Sequence, residues 1–328
     1  MELLTVLKEL CDADNICGLN GALSVAEKYL KPIASVERFG SSLIATMGEE
    51  NGEAVLFEAH IDEIGMLVTD INDGFLAVAS AGGIDARMLS GMRVKIHGKE
   101  LLNGVFCSVP PHLRKGGSSA PSFDNLYIDT GLNEKAAEYI AIGDRVTFCS
   151  PFTQMQNTLV TSKALDNRAG VASLIRCAEI LSEKPIKKKV VFLLSDLEET
   201  GGSGAMTAAF KINSKTAVSV DVSFGNQPDV SGQTGTLGKG AMIGVSPILS
   251  QEVTNSLKAV AQKNGIKYQM EIMGGKTSTD ADHIALTREG VKTGLLSVPL
   301  RNMHTPVEVV DIEDIESVAD ILAGFVEG

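Results

Sequence analysis

Residues 187–199 read KKKVVFLLSDLEE. The apolar run from Val190 to Leu194 has no polar residue on alternate positions. A strand here buries both faces and must lie inside a sheet that is covered above and below. The surrounding sequence supplies the cover. Upstream, DNRAGVASLIRCAEILSE places Val171, Leu174, Ile175, Ala178 and Leu181 at helical spacing, with Pro185 beyond its end. Downstream, TAVSVDVS reads as a strand ending in Asp221, and SQEVTNSLKAVAQKNG as a helix stopped by Gly265. VKTGLLSVPL is a further strand, and EVVDIEDIESVADILAGFVEG a final amphipathic helix. This alternation predicts an α/β fold with a mainly parallel sheet flanked by helices.

The preceding sequence has a different texture. Residues 1–30 predict helix interrupted by Gly18 and Gly21, and SSLIATMG with AVLFEAHI predicts a hairpin across a Glu/Asn/Gly turn. From residue 66, short β-like runs alternate with glycine-containing turns as far as GDRVTFCSPF, a pattern closer to a small β-barrel than to a layered sheet. The stretch 110–122, PPHLRKGGSSAPS, reads as an exposed loop. The expected organisation is therefore a discontinuous α/β domain, 1–65 and 157–328, with an inserted β-rich unit at 66–156. A chain of 328 residues, 44% hydrophobic, is long enough for both.

Charge and cysteine usage narrow the function. With 29 basic against 41 acidic residues the formal charge is −12, which disfavours nucleic acid as a partner. The five cysteines are scattered and contain no CxxC, so no disulfide framework is expected. The N-terminal MELLTVLKEL carries charges within an amphipathic helical pattern and does not resemble a signal peptide; no uncharged run approaches a membrane span. A cytoplasmic protein is the expectation.

In open α/β sheets, sites form beyond the C-terminal ends of the strands. His60 and Asp62 follow VLFEA, Glu198 and Glu199 follow VVFLLSDL, and Asp221 follows TAVSV. Asp166 precedes a helix, and His304 follows a strand. One rim holds this many acids only if a cation neutralises them. Two histidines with several carboxylates and no cysteine match an open, catalytic site for zinc, cobalt or manganese. His60 and Asp62, two apart, share a face, so the carboxylate can orient the ring. Of Glu198 and Glu199, one can bind metal while the other holds a water's proton.

The motifs AHIDEIG, ALDNRAG, LEETGGSGA, VDV and HTPVE occur in the order found in the M42 dinuclear metallo-aminopeptidases, and the chain resembles that family over nearly its whole length. The long gap between His60 and Asp166 is where that family inserts its extra domain. The resemblance implies two divalent metals, Zn2+ or Co2+ with Mn2+ as the third candidate, held by His60, Asp166, Glu199, Asp221 and His304, with Asp166 as the bridge. It further implies Glu198 as general base, Asp62 as the acid that orients His60, and Thr279 and Asp280 as substrate-pocket residues. Peptides would be the substrates, and a homo-oligomer, by resemblance a dodecamer, the assembly. Gly65 would permit the turn into the inserted unit.

Two other readings compete. Paired carboxylates also serve an endoglucanase-like glycosidase, although a chain with no Trp and four Tyr offers few stacking platforms. A non-catalytic metal-binding scaffold is the second. His97, His112 and His283 stand outside the ligand set: His97 reads as structural, His112 as a loop residue, and His283 as part of a helix-start cluster.

Overall fold

The computed structural model of the protein describes residues 2–113 and 122–327. Two helices, α1 (Leu3–Asp12) and α2 (Gly21–Leu30), lead into strands β1 (Ser35–Phe39), β2 (Ser42–Gly48) and β3 (Ala54–His60). Strands β4 (Gly65–Asn72), β5 (Phe75–Ala81), β6 (Arg93–His97), β7 (Leu101–Phe106), β8 (Tyr127–Asp129) and β9 (Arg145–Phe148) follow, with the short helix α3 (Ala136–Tyr139) before the last of them. The chain continues through β10 (Thr153–Gln154), β11 (Leu159–Ser162), α4 (Leu165–Ser182), β12 (Lys189–Ser195), α5 (Ser203–Ile212), β13 (Thr216–Phe224) and β14 (Ala241–Val245). It ends with α6 (Gln251–Asn264), β15 (Tyr268–Ile272), α7 (Asp280–Ala285), β16 (Lys292–Leu300), β17 (Glu308–Asp311) and α8 (Ile312–Glu327).

Among the described residues the main sheet has eight strands in the order β1-β2-β12-β3-β13-β16-β14-β15. The four at its centre, β12, β3, β13 and β16, are mutually parallel. Antiparallel pairs lie towards the edges, β1 with β2, β2 with β12 and β14 with β16. Strand β12 is buried on both faces as its sequence requires. Val190, Phe192 and Leu194 point into a core shared with α1, α2, α4, α6 and α8, while Val191 and Leu193 pack against α5 and Ile284 of α7.

The predicted hairpin between β2 and β3 does not form. Strand β12 lies between them, antiparallel to β2 and parallel to β3. The local turn is compatible with a hairpin, but a strand apolar on both faces gains more from a central position than two sequence neighbours gain from pairing. The final segment also splits: Glu308–Asp311 is strand β17, paired with β11, before α8 begins. Strand β13 runs three residues past Asp221, to Phe224.

Strands β4 to β9 close into a barrel in the order β4-β5-β8-β7-β6-β9. Its interior is a separate apolar cluster that includes Met66, Val68, Leu76, Val78, Val94, Ile96, Phe106, Ile128, Val146 and Phe148. Gly65 opens β4 but makes no left-handed turn. Its missing side chain allows close packing: a Cβ there would stand 2.4 Å from Ile16 Cδ1 and 2.8 Å from the Val146 carbonyl oxygen. Most of the predicted loop 110–122 lies outside the described residues.

Candidate metal centre

Because β3, β12 and β13 are parallel, their C-terminal halves deliver side chains to one end of the sheet. His60 is the last residue of β3 and is in register with Ser195, the last residue of β12. The chain after β12 turns through Leu197, which has a left-handed φ of 67°, and presents Glu198 and Glu199. Asp166 sits at the start of α4, two residues after Ala164 at φ 57°, and His304 itself has φ 60°. Non-glycine residues held there cost about 1–3 kcal/mol each and persist only where surrounding contacts fix them.

Those contacts are present. The buried Glu308 carboxylate accepts hydrogen bonds from the Asp166 amide (3.0 Å) and the His304 amide (2.9 Å). The Asp62 carboxylate accepts from the amides of Glu198 and Glu199, each at 3.2 Å. Asp62 also stands 3.3 Å from His60 Nδ1, at ion-pair distance though off the line of a good hydrogen bond. His304 Nδ1–H donates to the Gly83 carbonyl at 2.9 Å, which leaves Nε2 with its lone pair free. Glu308 and Gly83 were not singled out in the sequence. Glu308 was visible as the last residue of HTPVE, but Gly83 carried no local signal, because its partner is 221 positions away.

The two histidines meet on one carboxylate. Asp166 Oδ1 is 3.1 Å from His60 Nε2, and Asp166 Oδ2 is 3.5 Å from His304 Nε2. Asp221 lies 3.7 Å from His60 Nε2, and Glu199 lies 3.6 Å from His304 Nε2. The result is two triplets sharing Asp166, one with His60 and Asp221 and one with Glu199 and His304, each with donor atoms within 4.8 Å of one another. Divalent cations fit this donor set. Its members are imidazoles and carboxylates with no thiol, and among the described residues no lysine or arginine lines the cavity to neutralise the acids.

Burial and the neighbouring carboxylates push Glu199 up to about 10 and Glu198 up to about 8. Burial alone would also raise Asp166, but the two imidazoles outweigh it and hold that carboxyl below its ordinary range. Burial would lower His60, yet Asp166, Asp221 and Asp62 together hold it well above its usual value. Acids forced to retain protons beside clustered carboxylates are the electrostatic mark of a place built for added positive charge.

The triplets open into a cavity of about 630 Å³ lined also by Ser223, Phe224, Gln233, Glu271, Ile272, Met273, Thr277, Ser278, Thr279, Leu295, Ser297 and Met303. Thr279 faces this space and caps α7, its hydroxyl accepting from the Ala281 amide. Asp280 is not among the lining residues. It is 1% exposed and its carboxylate accepts from Ser195 Oγ at 2.8 Å, within a buried group that includes Glu58 and Ser219. The sheet interior claims it because it begins α7, whose first turn packs down onto the strands. His283 belongs to that same helix, His97 bonds to Thr147 in the barrel at 2.9 Å, and His112 is exposed.

Comparisons with known proteins identify the family. The family model described as M42 glutamyl aminopeptidase matches residues 40–321. A protein of Acetivibrio thermocellus, provisionally named an aminopeptidase, is 34% identical over 294 residues, covering 88% of this chain and 86% of its own. Lysyl aminopeptidase of Pyrococcus furiosus is 29% identical over 336 residues, covering 98% and 96%. The solved TET1 peptidase of Pyrococcus horikoshii, described as assembling into a tetrahedron or a large octahedral shell, superposes with a TM-score of 0.87 at 30% identity and covers 98% of each chain.

Proposed function

The chain belongs to the M42 glutamyl aminopeptidase family and is a peptidase, and on that premise we propose that it is a dinuclear-metal aminopeptidase that releases N-terminal residues from peptides. The observation that carries this reading is Asp166, which offers one carboxylate oxygen to each of two imidazoles. His60, Asp166 and Asp221 would hold one divalent cation, and Asp166, Glu199 and His304 the other. Zn2+ and Co2+ suit the mixed donors best, with Mn2+ the third candidate. Such a pair, when bound, supplies a water of lowered pKa and a Lewis acid for the scissile carbonyl.

The chain's own residues do the rest. Asp62 and the Gly83 carbonyl each face the Nδ1 of a histidine, so that both rings present Nε2 to the centre. Glu198, with its backbone fixed by Asp62, takes the proton from the attacking water and returns it to the leaving amine. The acidic rim receives the substrate's free α-ammonium, which confines cleavage to chain ends. The inserted unit, 66–156, shapes access to the centre and contributes to a homo-oligomer. A similar solved peptidase described as a dodecamer, 31% identical and covering 99% of this chain, makes a dodecamer the state to look for by light scattering.

A panel of aminoacyl chromogenic substrates tests the function. Turnover should appear on loading with zinc, cobalt or manganese and vanish with a chelator. Cleavage indifferent to chelation would contradict the proposal and revive the glycosidase reading, whose paired carboxylates need no metal. A loaded protein that binds metal and cleaves nothing would leave the scaffold.

A further inference from the structure

Five carboxylates line the cavity: Asp166, Glu198, Glu199, Asp221 and Glu271. The first four are taken by metal ligation and proton transfer on the reading above. Glu271 has no such task. It stands on β15, where its register partner on β14 is Gly244, which places no side chain between it and β16. Its carboxylate therefore reaches inward. One oxygen accepts from Ser297 Oγ at 2.7 Å and the other from Ser223 Oγ.

Both serines tie Glu271 to the metal end of the sheet. Ser297 is the register partner of Asp221 on the adjacent parallel strand, and Ser223 lies two residues beyond Asp221 on the same face of β13. At ~3.3 Å per residue, Ser223 stands about 6.6 Å along the strand from that ligand. The Glu271 carboxylate is thus fixed about one side-chain length from the catalytic centre. Each of its oxygens has used one lone pair on a hydroxyl and keeps another.

Among the described residues no lysine, arginine or histidine lies within ion-pair distance of Glu271, and the cavity lining contains neither lysine nor arginine. The rest of the lining mixes the apolar Phe224, Ile272, Met273, Leu295 and Met303 with the polar Gln233, Thr277, Ser278 and Thr279. A cavity with apolar wall segments and a fixed acid that has no ion-pair partner among the described residues complements a long aliphatic side chain with a positive tip. It repels an acidic side chain and leaves the carboxylate unanswered by a neutral one. Burial and the nearby Asp221 carboxylate, against the pull of the two serine hydroxyls, raise the Glu271 carboxyl above its ordinary range.

We propose that Glu271 selects the N-terminal side chain of the substrate and that it selects lysine and arginine, an assignment that rests on the aminopeptidase reading. Glu271→Gln keeps the shape and the serine contacts and removes the charge. In steady-state assays on lysyl, arginyl, leucyl and glutamyl chromogenic substrates, the metal-loaded wild type should favour the two basic residues over leucine. The variant should reduce the lysyl-to-leucyl ratio of kcat/KM by roughly ten- to hundred-fold, the scale of a desolvated charge pair losing one partner. A wild type that prefers glutamyl or leucyl substrates overturns the proposal. So does a variant that slows all four substrates equally, since that marks Glu271 as a structural acid.

Calorimetric titration of the metal-loaded wild type with L-lysine and L-norleucine, which differ at the chain end by the ammonium group alone, reads the same contact without turnover. Lysine should bind at least about ten-fold more tightly, and the gap should close in Glu271→Gln. Equal binding of the two amino acids refutes the role of Glu271 whether or not peptides are cleaved. Absence of cleavage together with lysine selectivity refutes the peptidase chemistry and not the pocket.

Discussion

Inside the barrel the buried side chains include Met66, Val68, Leu76, Val78, Val94, Ile96, Phe106, Ile128, Val146 and Phe148, and the one buried polar residue among those described between β4 and β9 is Thr147. At the site end of the main sheet the buried side chains include Glu58, His60, Asp62, Glu63, Lys163, Asp166, Arg168 and Glu308. The barrel uses apolar burial alone, which is insensitive to atomic detail within the limits of volume. The sheet end holds charges out of water, which is tolerable only if each is answered by a partner at bonding distance. The first region can therefore vary and still fold; the second is rigidly specified.

Where the two regions touch, the sheet's charge network extends to the barrel. Lys163 reaches Glu63 at 2.6 Å and Asp14 at 3.1 Å, Arg168 reaches Glu63 at 3.3 Å, and Lys95 of β6 reaches Asp14 at 2.9 Å. Lys163 and Arg168 flank Asp166, and Glu63 lies three residues after His60, so this cluster anchors from behind both segments that carry proposed ligands. The barrel reaches forward again at Gly83. A Cβ on that residue would lie 2.8 Å from His304 Nδ1.

These contrasts make measurable differences. Glu198→Gln should lower kcat by about 10²–10⁴-fold while elemental analysis still finds both metals and the melting curve is unmoved; near-normal turnover would remove Glu198 from its role. Lys163→Met leaves Glu63 and Asp14 buried without their shared cation and should cost about 3–5 kcal/mol in chemical denaturation; a loss under about 1 kcal/mol would show that water already reaches the cluster. Gly83→Ala should weaken metal affinity by about 10–100-fold in calorimetric titration, because the ring it displaces loses its orienting carbonyl. If affinity is unaltered, the barrel has no part in arranging the centre. Ile96→Val, deep in the barrel, should cost about 1 kcal/mol and leave activity intact; an activity loss would mean that the barrel interior is coupled to the site.

The pH dependence of the junction gives the smallest effect. Burial alone would raise Asp14, but the ammonium groups of Lys163 and Lys95 outweigh it and hold the carboxyl below its ordinary 3.8. A depressed folded pKa means that the stability contributed by Asp14 is complete above pH 3.8 and is lost as pH falls through the folded value. Wild type should therefore lose more stability than Asp14→Asn between pH 5 and pH 3. Parallel losses in urea midpoints would exclude this ion pair as a pH-linked contact.

The two regions also differ in how readable they are. Barrel strands follow from alternation and turn residues, and β12 follows from its unbroken apolar run; both are local patterns. The pairing of β12 between β2 and β3 is not local, which is why the turn at 49–53 suggested a hairpin. At the site, the proposed ligands stand beside recognisable strand ends, whereas Glu308, Gly83 and Glu271 bond to partners far away in sequence. Asp280 misleads because a polar residue at a helix start resembles a cavity residue until the helix is seen packed inward. Strands β14 and β15 carry no strong pattern of their own, so Glu271 had no element to stand on when the chain was considered alone.

The convergence on Asp166 is tested most directly by anomalous diffraction from crystals grown with zinc or cobalt. Two peaks should flank the Asp166 carboxylate, one against His60 and Asp221 and the other against Glu199 and His304. A single peak elsewhere, or none within reach of these five side chains, would contradict the account.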